Sequence, residues 1–173
     1  ERITVKLLSV TVPCYNSQDY MRHCVETLLP GGENPFTVET FSTFHDDCQG
    51  ALRGDNTVHI FRAEGMTVVH LGDLGCVLTA EQEEKISGCD ALMLPVGGTY
   101  TIDAAAAAEL VRRLHPRLVL PMHFRRGEQG FPELTTLEDF LSRLPEQPVH
   151  RLTGETLDLT SKGTSGVVIF PRR

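Results

Sequence analysis

Three residues in this chain have side chains able to hold a cation and settings that could expose them to one. They are His45 in STFHDD, Asp73 in HLGDLG and His123 in LPMHF. Each follows a run of residues that reads as a β-strand, and strand ends in α/β sheets converge on one edge where ligands bind. Imidazole and carboxylate together suit zinc, iron or manganese. A carboxylate can also bridge two ions about 3.5–4 Å apart, the arrangement that activates water in two-metal hydrolases. Taken singly, each residue has a plainer explanation. A strand-end histidine is commonly a satisfied surface or core residue, and an aspartate between two glycines is an ordinary turn.

The elements that must position these residues are readable from periodicity. Alternation and β-branching predict a strand at 3–12, and Ser17 is placed to cap a helix running to about Leu28, where LLPGG ends it. Strands follow at 36–44, 57–63 and 66–71, the last two joined by a tight Glu64-Gly65 turn. Thr79 heads the capping-box string TAEQ, predicting a short helix to about Ser87. The continuous apolar run at 91–96 is a strand covered on both faces. An alanine-rich helix at 102–114 and a strand at 117–122 complete a parallel crossover, which should be right-handed. A helix at 136–144 and three short strands at 148–152, 155–160 and 166–170 close the chain. Hairpins followed by βαβ predict a mixed sheet with helices packed on it.

Composition bounds the class. With 173 residues, 40% hydrophobic and 23% charged, the chain reads as a single globular domain spanning 1–173. A formal charge of −7 and scattered basic pairs argue against a nucleic-acid groove, leaving room for a local basic rim around an anionic small-molecule substrate. The five cysteines, Cys14, Cys24, Cys48, Cys76 and Cys89, show no CxxC spacing, which suits a reducing cytoplasm better than a disulfide framework. No apolar run reaches the roughly 20 residues needed to span a bilayer, and the start ERITVKLLSVTV lacks a signal-peptide pattern.

The strings STFHDDCQGALRGDNTVHIF, VVHLGDLGCVLTAEQ, LMLPVGGTYTIDAAAAAELV and PRLVLPMHF occur in one order and cover roughly half the chain. Together they resemble the metallo-β-lactamase fold, specifically its branch of metal-dependent hydrolases similar to ascorbate-6-phosphate lactonase. The resemblance implies an α/β fold, an αββα sandwich, and hydrolysis of an ester, lactone or phosphodiester. It implies that His45, Asp73 and His123 are metal ligands, with Asp73 bridging two ions and His45 and Asp73 central to catalysis. It also places Gly98, Thr99 and Tyr100 beside the substrate, in a loop that otherwise reads as a turn and the cap of the next helix. His70, three residues before Asp73, is open to two readings: a partner that orients a ligand, or a core histidine packed on the sheet.

One element of that family departs here. Where its HxHxDH motif belongs, the chain reads VPCYNSQDY, with Cys14 and Asn16 for the leading histidines and Gln18 and Asp19 for the Asp-His pair. Thiolate and carboxylate can bind metal, whereas Asn and Gln are poor zinc ligands. Cys14 and Asp19 are therefore the remaining candidates in that segment. His23, four residues after Asp19, would share a helix face with it, either as a substitute partner or as a solvated residue. The expectation is at most one divalent ion, zinc, manganese or iron, and weakened catalysis. The alternative is an inactive relative serving as a binding or assembly module. Family members open on a hairpin carrying Gly-His, and none precedes Glu1. A short front is therefore expected, the sandwich incomplete at its N-terminus, with a homodimer covering the exposed edge.

Overall fold

Seven strands form one mixed sheet in the computed structural model, which describes residues 36–63, 65–128, 130–157, 159 and 163–171. All of these lie in the compact unit Pro35–Arg173. The strands are β1 (Phe36–Phe44), β2 (Asp55–Ala63), β3 (Met66–His70), β4 (Ala91–Pro95), β5 (Leu118–Met122), β6 (Val149–Arg151) and β7 (Gly166–Ile169). Three helices lie among them: α1 (Ala80–Ile86), α2 (Ala104–Leu114) and α3 (Leu137–Leu141). The expected strand at 3–12 and helix at 17–28 lie outside the described residues.

The sheet order is β1-β2-β3-β4-β5-β7-β6. β1, β2 and β3 pair antiparallel, and every later pairing is parallel. Two antiparallel steps restore direction, so β1 runs in the same sense as β3, β4 and β5. The C-terminal ends of those four strands therefore share one edge of the sheet, and β2 begins there. That topology brings residues 45, 73, 97 and 123 to one side of the molecule.

One face of the sheet carries the helices. Val58, Ile60, Val69, Leu92, Leu94, Val119 and Val167 pack there against Ile86, Ala107, Leu110, Val111, Leu114 and Phe140. Alanines at 104, 107 and 108 recur at helical spacing and are buried, so α2 lies close on the strands. The opposite face holds a smaller cluster around Ala91, Leu118 and Val168. No helix among the described residues is long and apolar enough to cross a membrane.

Three expectations are corrected. The alanine-rich helix begins at Ala104, not 102, because the Asp103 carboxylate accepts the Ala106 N–H and ends the turn before it. The helix expected over 136–144 stops at Leu141. Arg143 and Leu144 instead bond three residues back, to Phe140 and Leu141, because Pro145 disfavours helical backbone in the residue before it. No described residue at 155–160 belongs to a strand. The alternating Leu157 and Leu159 pack against the Ala91–Leu118–Val168 cluster, and β7 already has β5 and β6 on its two sides.

Candidate metal centre

The structure brings His45, Asp73 and His123 together at the shared strand edge. Nε2 of His123 lies 2.8 Å from Oδ1 of Asp73, and Nε2 of His45 lies 3.9 Å from Oδ2. The three side chains are 29%, 25% and 37% exposed for His123, His45 and Asp73, so solvent and small ligands reach them. The hydrogen bond from His123 holds the Asp73 carboxyl below the usual carboxylate range; partial burial opposes this, while the charges of His123, His45 and His70 reinforce it. Asp73 is thus an anion facing two imidazoles.

Donor atoms sharing a tetrahedral ion at about 2.0–2.1 Å stand roughly 3.3 Å apart. The two measured separations fall on either side of that spacing, and His₂Asp is a donor set that zinc accepts. Among the described residues, however, no three His, Cys, Asp or Glu side chains stand in a closed ligand arrangement. Cys14 and Asp19 lie outside the described residues, as do Asn16, Gln18 and His23.

Each of the three residues is held by contacts between loops. His45 opens a loop closed by its own N–H on the Gly54 carbonyl at 3.0 Å. Inside that loop the buried Asp46 carboxylate accepts N–H bonds from Cys48, Gly50, Leu52 and Arg53, at 3.0, 2.7, 3.0 and 2.8 Å. Burial opposes ionisation of Asp46, but bonds from Arg53, Cys48, Gly50 and Leu52 outweigh it and hold the carboxyl far below its ordinary range. Gly75 lies against the His45 backbone so closely that a Cβ would stand 2.4 Å from the His45 carbonyl carbon.

His123 adopts left-handed backbone, with φ 52°, a conformation costly for a side-chain-bearing residue and concentrated at functional sites. Gly97 is what leaves room for it: a Cβ there would lie 2.0 Å from the His123 carbonyl oxygen. Asp73 depends on Asn56, whose Oδ1 accepts the Asp73 N–H at 2.8 Å.

The loop of Gly98, Thr99 and Tyr100 does border this edge. Thr99 also has left-handed backbone, φ 60°, and its hydroxyl donates to the Glu133 carbonyl at 2.9 Å, tying two loops together. Tyr100 is 38% exposed. The Arg53 guanidinium sits 5.5 Å over its ring, and Phe131 meets it edge-on at 6.1 Å. His70 is buried, accepts the Gly72 N–H at Nδ1 at 2.9 Å, and has no hydrogen-bond partner at Nε2 among the described residues. Burial first, then the neighbouring His59 and His123, push its imidazole down to about 4, with Asp73 opposing.

Asp46, Asn56, Arg53 and Phe131 were not singled out by the sequence. Asp46 had a local signal, since aspartate commonly bonds the amide two residues on, here Cys48. Asn56 had none.

Comparison with known proteins agrees with this architecture. A family model described as a β-lactamase superfamily domain matches residues 21–123, more than half the chain. A metal-dependent hydrolase of Geobacillus thermodenitrificans is 32% identical over 143 residues, which cover 75% of this chain and 60% of the relative. Another metal-dependent hydrolase, from Staphylothermus marinus, is 31% identical over 72 residues, covering 42% of this chain and 32% of the relative. The chain thus spans less than two thirds of the length of these curated relatives. Among solved structures, a Thermotoga maritima protein proposed as a zinc-dependent hydrolase of the metallo-β-lactamase superfamily shares 36% identity. It superposes with a TM-score of 0.66 over 79% of this chain and 66% of its own. By family match and fold, the chain belongs to the metallo-β-lactamase superfamily.

Proposed function

We propose that this chain is a metal-dependent hydrolase that cleaves an ester, lactone or phosphodiester in a small-molecule substrate, using one divalent ion held by His45, Asp73 and His123. The observation that carries this is the meeting of those three side chains at one solvent-reached strand edge. The names of its relatives support the same reading. A bound zinc, manganese or iron ion would supply Lewis acidity and make water a nucleophile at neutral pH.

The chain's own residues do the rest. Asp73, kept ionised, provides the anionic donor. Ligation through Nε2 requires His123 to give up the proton it now shares with Asp73. Gly97 and Gly98 let the backbone approach closely, and Tyr100 and Phe131 form an aromatic wall beside the Arg53 cation. Gly98, Thr99 and Tyr100 border the substrate in this proposal.

A second reading, an inactive relative acting as a binding or assembly module, is favoured by one observation. His123 and Asp73 already satisfy each other, and no closed three-ligand set stands among the described residues. Elemental analysis with zinc titration separates the two. The expected result is at most one ion per chain, lost in His123→Ala because two protein ligands seldom retain zinc. Zinc-independent turnover, or an ion retained in His123→Ala, would overturn the proposal. A chain that takes up no zinc would favour the second reading.

A further inference from the structure

Asn56 is the first buried polar residue of β2, opposite Thr43 of β1 in the register and 3% exposed. Its side-chain amide is used on both sides. Nδ2 donates to Thr43 Oγ1 at 2.7 Å and to the Leu71 carbonyl at 2.9 Å, while Oδ1 accepts the Asp73 N–H at 2.8 Å. One amide therefore grips the chain on both sides of Gly72, and Gly72 itself is pressed against it. A Cβ on Gly72 would lie 2.3 Å from Asn56 Oδ1. The Thr43 hydroxyl orients the amide, since its oxygen accepts from Nδ2 at 2.7 Å and itself lies 3.5 Å from the Asn56 main-chain carbonyl oxygen, toward which its proton points.

No other side chain of similar size makes this set of bonds. Aspartate would replace the amide nitrogen and its two N–H donors with one oxygen facing the Leu71 carbonyl and the Thr43 oxygen. Serine is too short to span Leu71 and Asp73, and alanine leaves the buried Leu71 carbonyl and the part-buried Asp73 N–H without this partner. The grip also bypasses the sheet, whose pairing of β3 ends at His70. Beyond that point the flanking backbone is tied by Leu71 N–H to the Met93 carbonyl, Gly72 N–H to His70 Nδ1, Gly75 N–H to the Phe44 carbonyl and Ile102 N–H to the Leu74 carbonyl. Asn56 is the side chain that bonds the Asp73 N–H itself.

We propose that Asn56, oriented by Thr43, is the positioning residue of the candidate centre: it sets the Asp73 carboxylate toward His45 and His123. The proposal rests on the reading of those residues as an ion site for its consequence in binding, but not for its geometry. Two measurements on the full chain keep these apart. In metal-free protein, amide hydrogen exchange at Asp73 is compared with that at Val96, whose N–H bonds Met122 instead. In the second, zinc alone is titrated in competition with a chromogenic chelator.

Asn56→Ala should raise the Asp73-to-Val96 exchange ratio and weaken zinc binding by about tenfold or more, the scale seen when partners of metal ligands are lost. Thr43→Val, which keeps shape and loses only the hydroxyl, should move both in the same direction by less, and carries the test if Asn56→Ala does not fold. Leu144→Ala, a buried truncation in the helical layer, should lower thermal stability while leaving the ratio and the zinc affinity unchanged. A wild-type exchange ratio in folded Asn56→Ala or Thr43→Val would overturn the proposal. A chain that takes up no zinc would refute the ion site, yet the exchange ratio would still decide the positioning role.

Discussion

Gly97→Ala tests the claim that close backbone approach, more than side-chain chemistry, places His123. The added Cβ would stand 2.0 Å from the His123 carbonyl oxygen, 3.0 Å from its carbonyl carbon and 3.2 Å from Cα of Phe124. Ordinary contact needs well over 3 Å, so about 1 Å of separation must be created between two backbones. Neither is free to move. Val96 N–H bonds the Met122 carbonyl at 3.0 Å, and Thr135 N–H bonds the Gly97 carbonyl at 2.9 Å. Overpacking of this kind costs about 1–3 kcal/mol, and losing one of those bonds adds about 1 kcal/mol. The expected destabilisation is about 2–4 kcal/mol, a fall in Tm of roughly 5–15 °C for a chain of this size. Gly154→Ala is the control, because a Cβ there meets nothing within 4 Å. It should leave stability within about 0.5 kcal/mol of wild type. Thermal and urea unfolding of both variants, followed by circular dichroism, decides the matter. Zinc affinity should fall with Gly97→Ala, because the displaced group is a proposed ligand. A Gly97→Ala protein as stable as Gly154→Ala would refute the argument that the loop is packed to contact at His123.

Two further outcomes follow from the titrating groups. His70 is held neutral in the fold down to about 4, whereas an unfolded histidine titrates near 6.5, so acid favours the unfolded chain, which takes up the proton first. Stability of chelator-treated protein should therefore be full above pH 6.5, fall by about 3 kcal/mol on the way to pH 4 and level off below it as far as His70 is concerned. His70→Gln should flatten that slope, and an unchanged slope would show that the drop arises elsewhere. Asp46 is the opposite charge type with its carboxyl depressed, so its contribution is present above the ordinary carboxylate range and is lost as the pH falls below it. Asp46→Ala should raise amide exchange at Cys48, Gly50, Leu52 and Arg53 at neutral pH; protection surviving in that variant would mean that other contacts hold the loop.

The strands and the edge they share were legible because their signals are local. β1 runs over Phe36–Phe44 as β-branching predicted, and Thr79 caps α1 with its box closed by Gln82. Where local signals misled, a competing local rule was at work. The helical pattern continued past Leu141 toward Leu144, but Pro145 governs the residues before it. Leu157 and Leu159 alternate as a strand would, yet the same spacing serves a segment laid across a sheet face. Periodicity reports which side chains are buried together, not which backbone they are bonded to.

The candidate centre divides along the same line. Histidine and aspartate at strand ends are visible one at a time, and topology alone brings them together. What fixes their geometry is written in contacts between loops distant along the chain: Asn56 to Asp73, Gly97 to His123, Gly75 to His45. An asparagine at the start of a strand carries no mark of the amide it will receive from a turn 17 residues later. The glycines do carry a mark, since a residue with no Cβ is needed wherever two backbones touch, but the sequence does not say which backbone is the partner. The site can therefore keep its three conspicuous side chains and still lose its geometry through an inconspicuous one. That asymmetry is why the Asn56 and Gly97 substitutions probe the centre without altering any of the three proposed ligands.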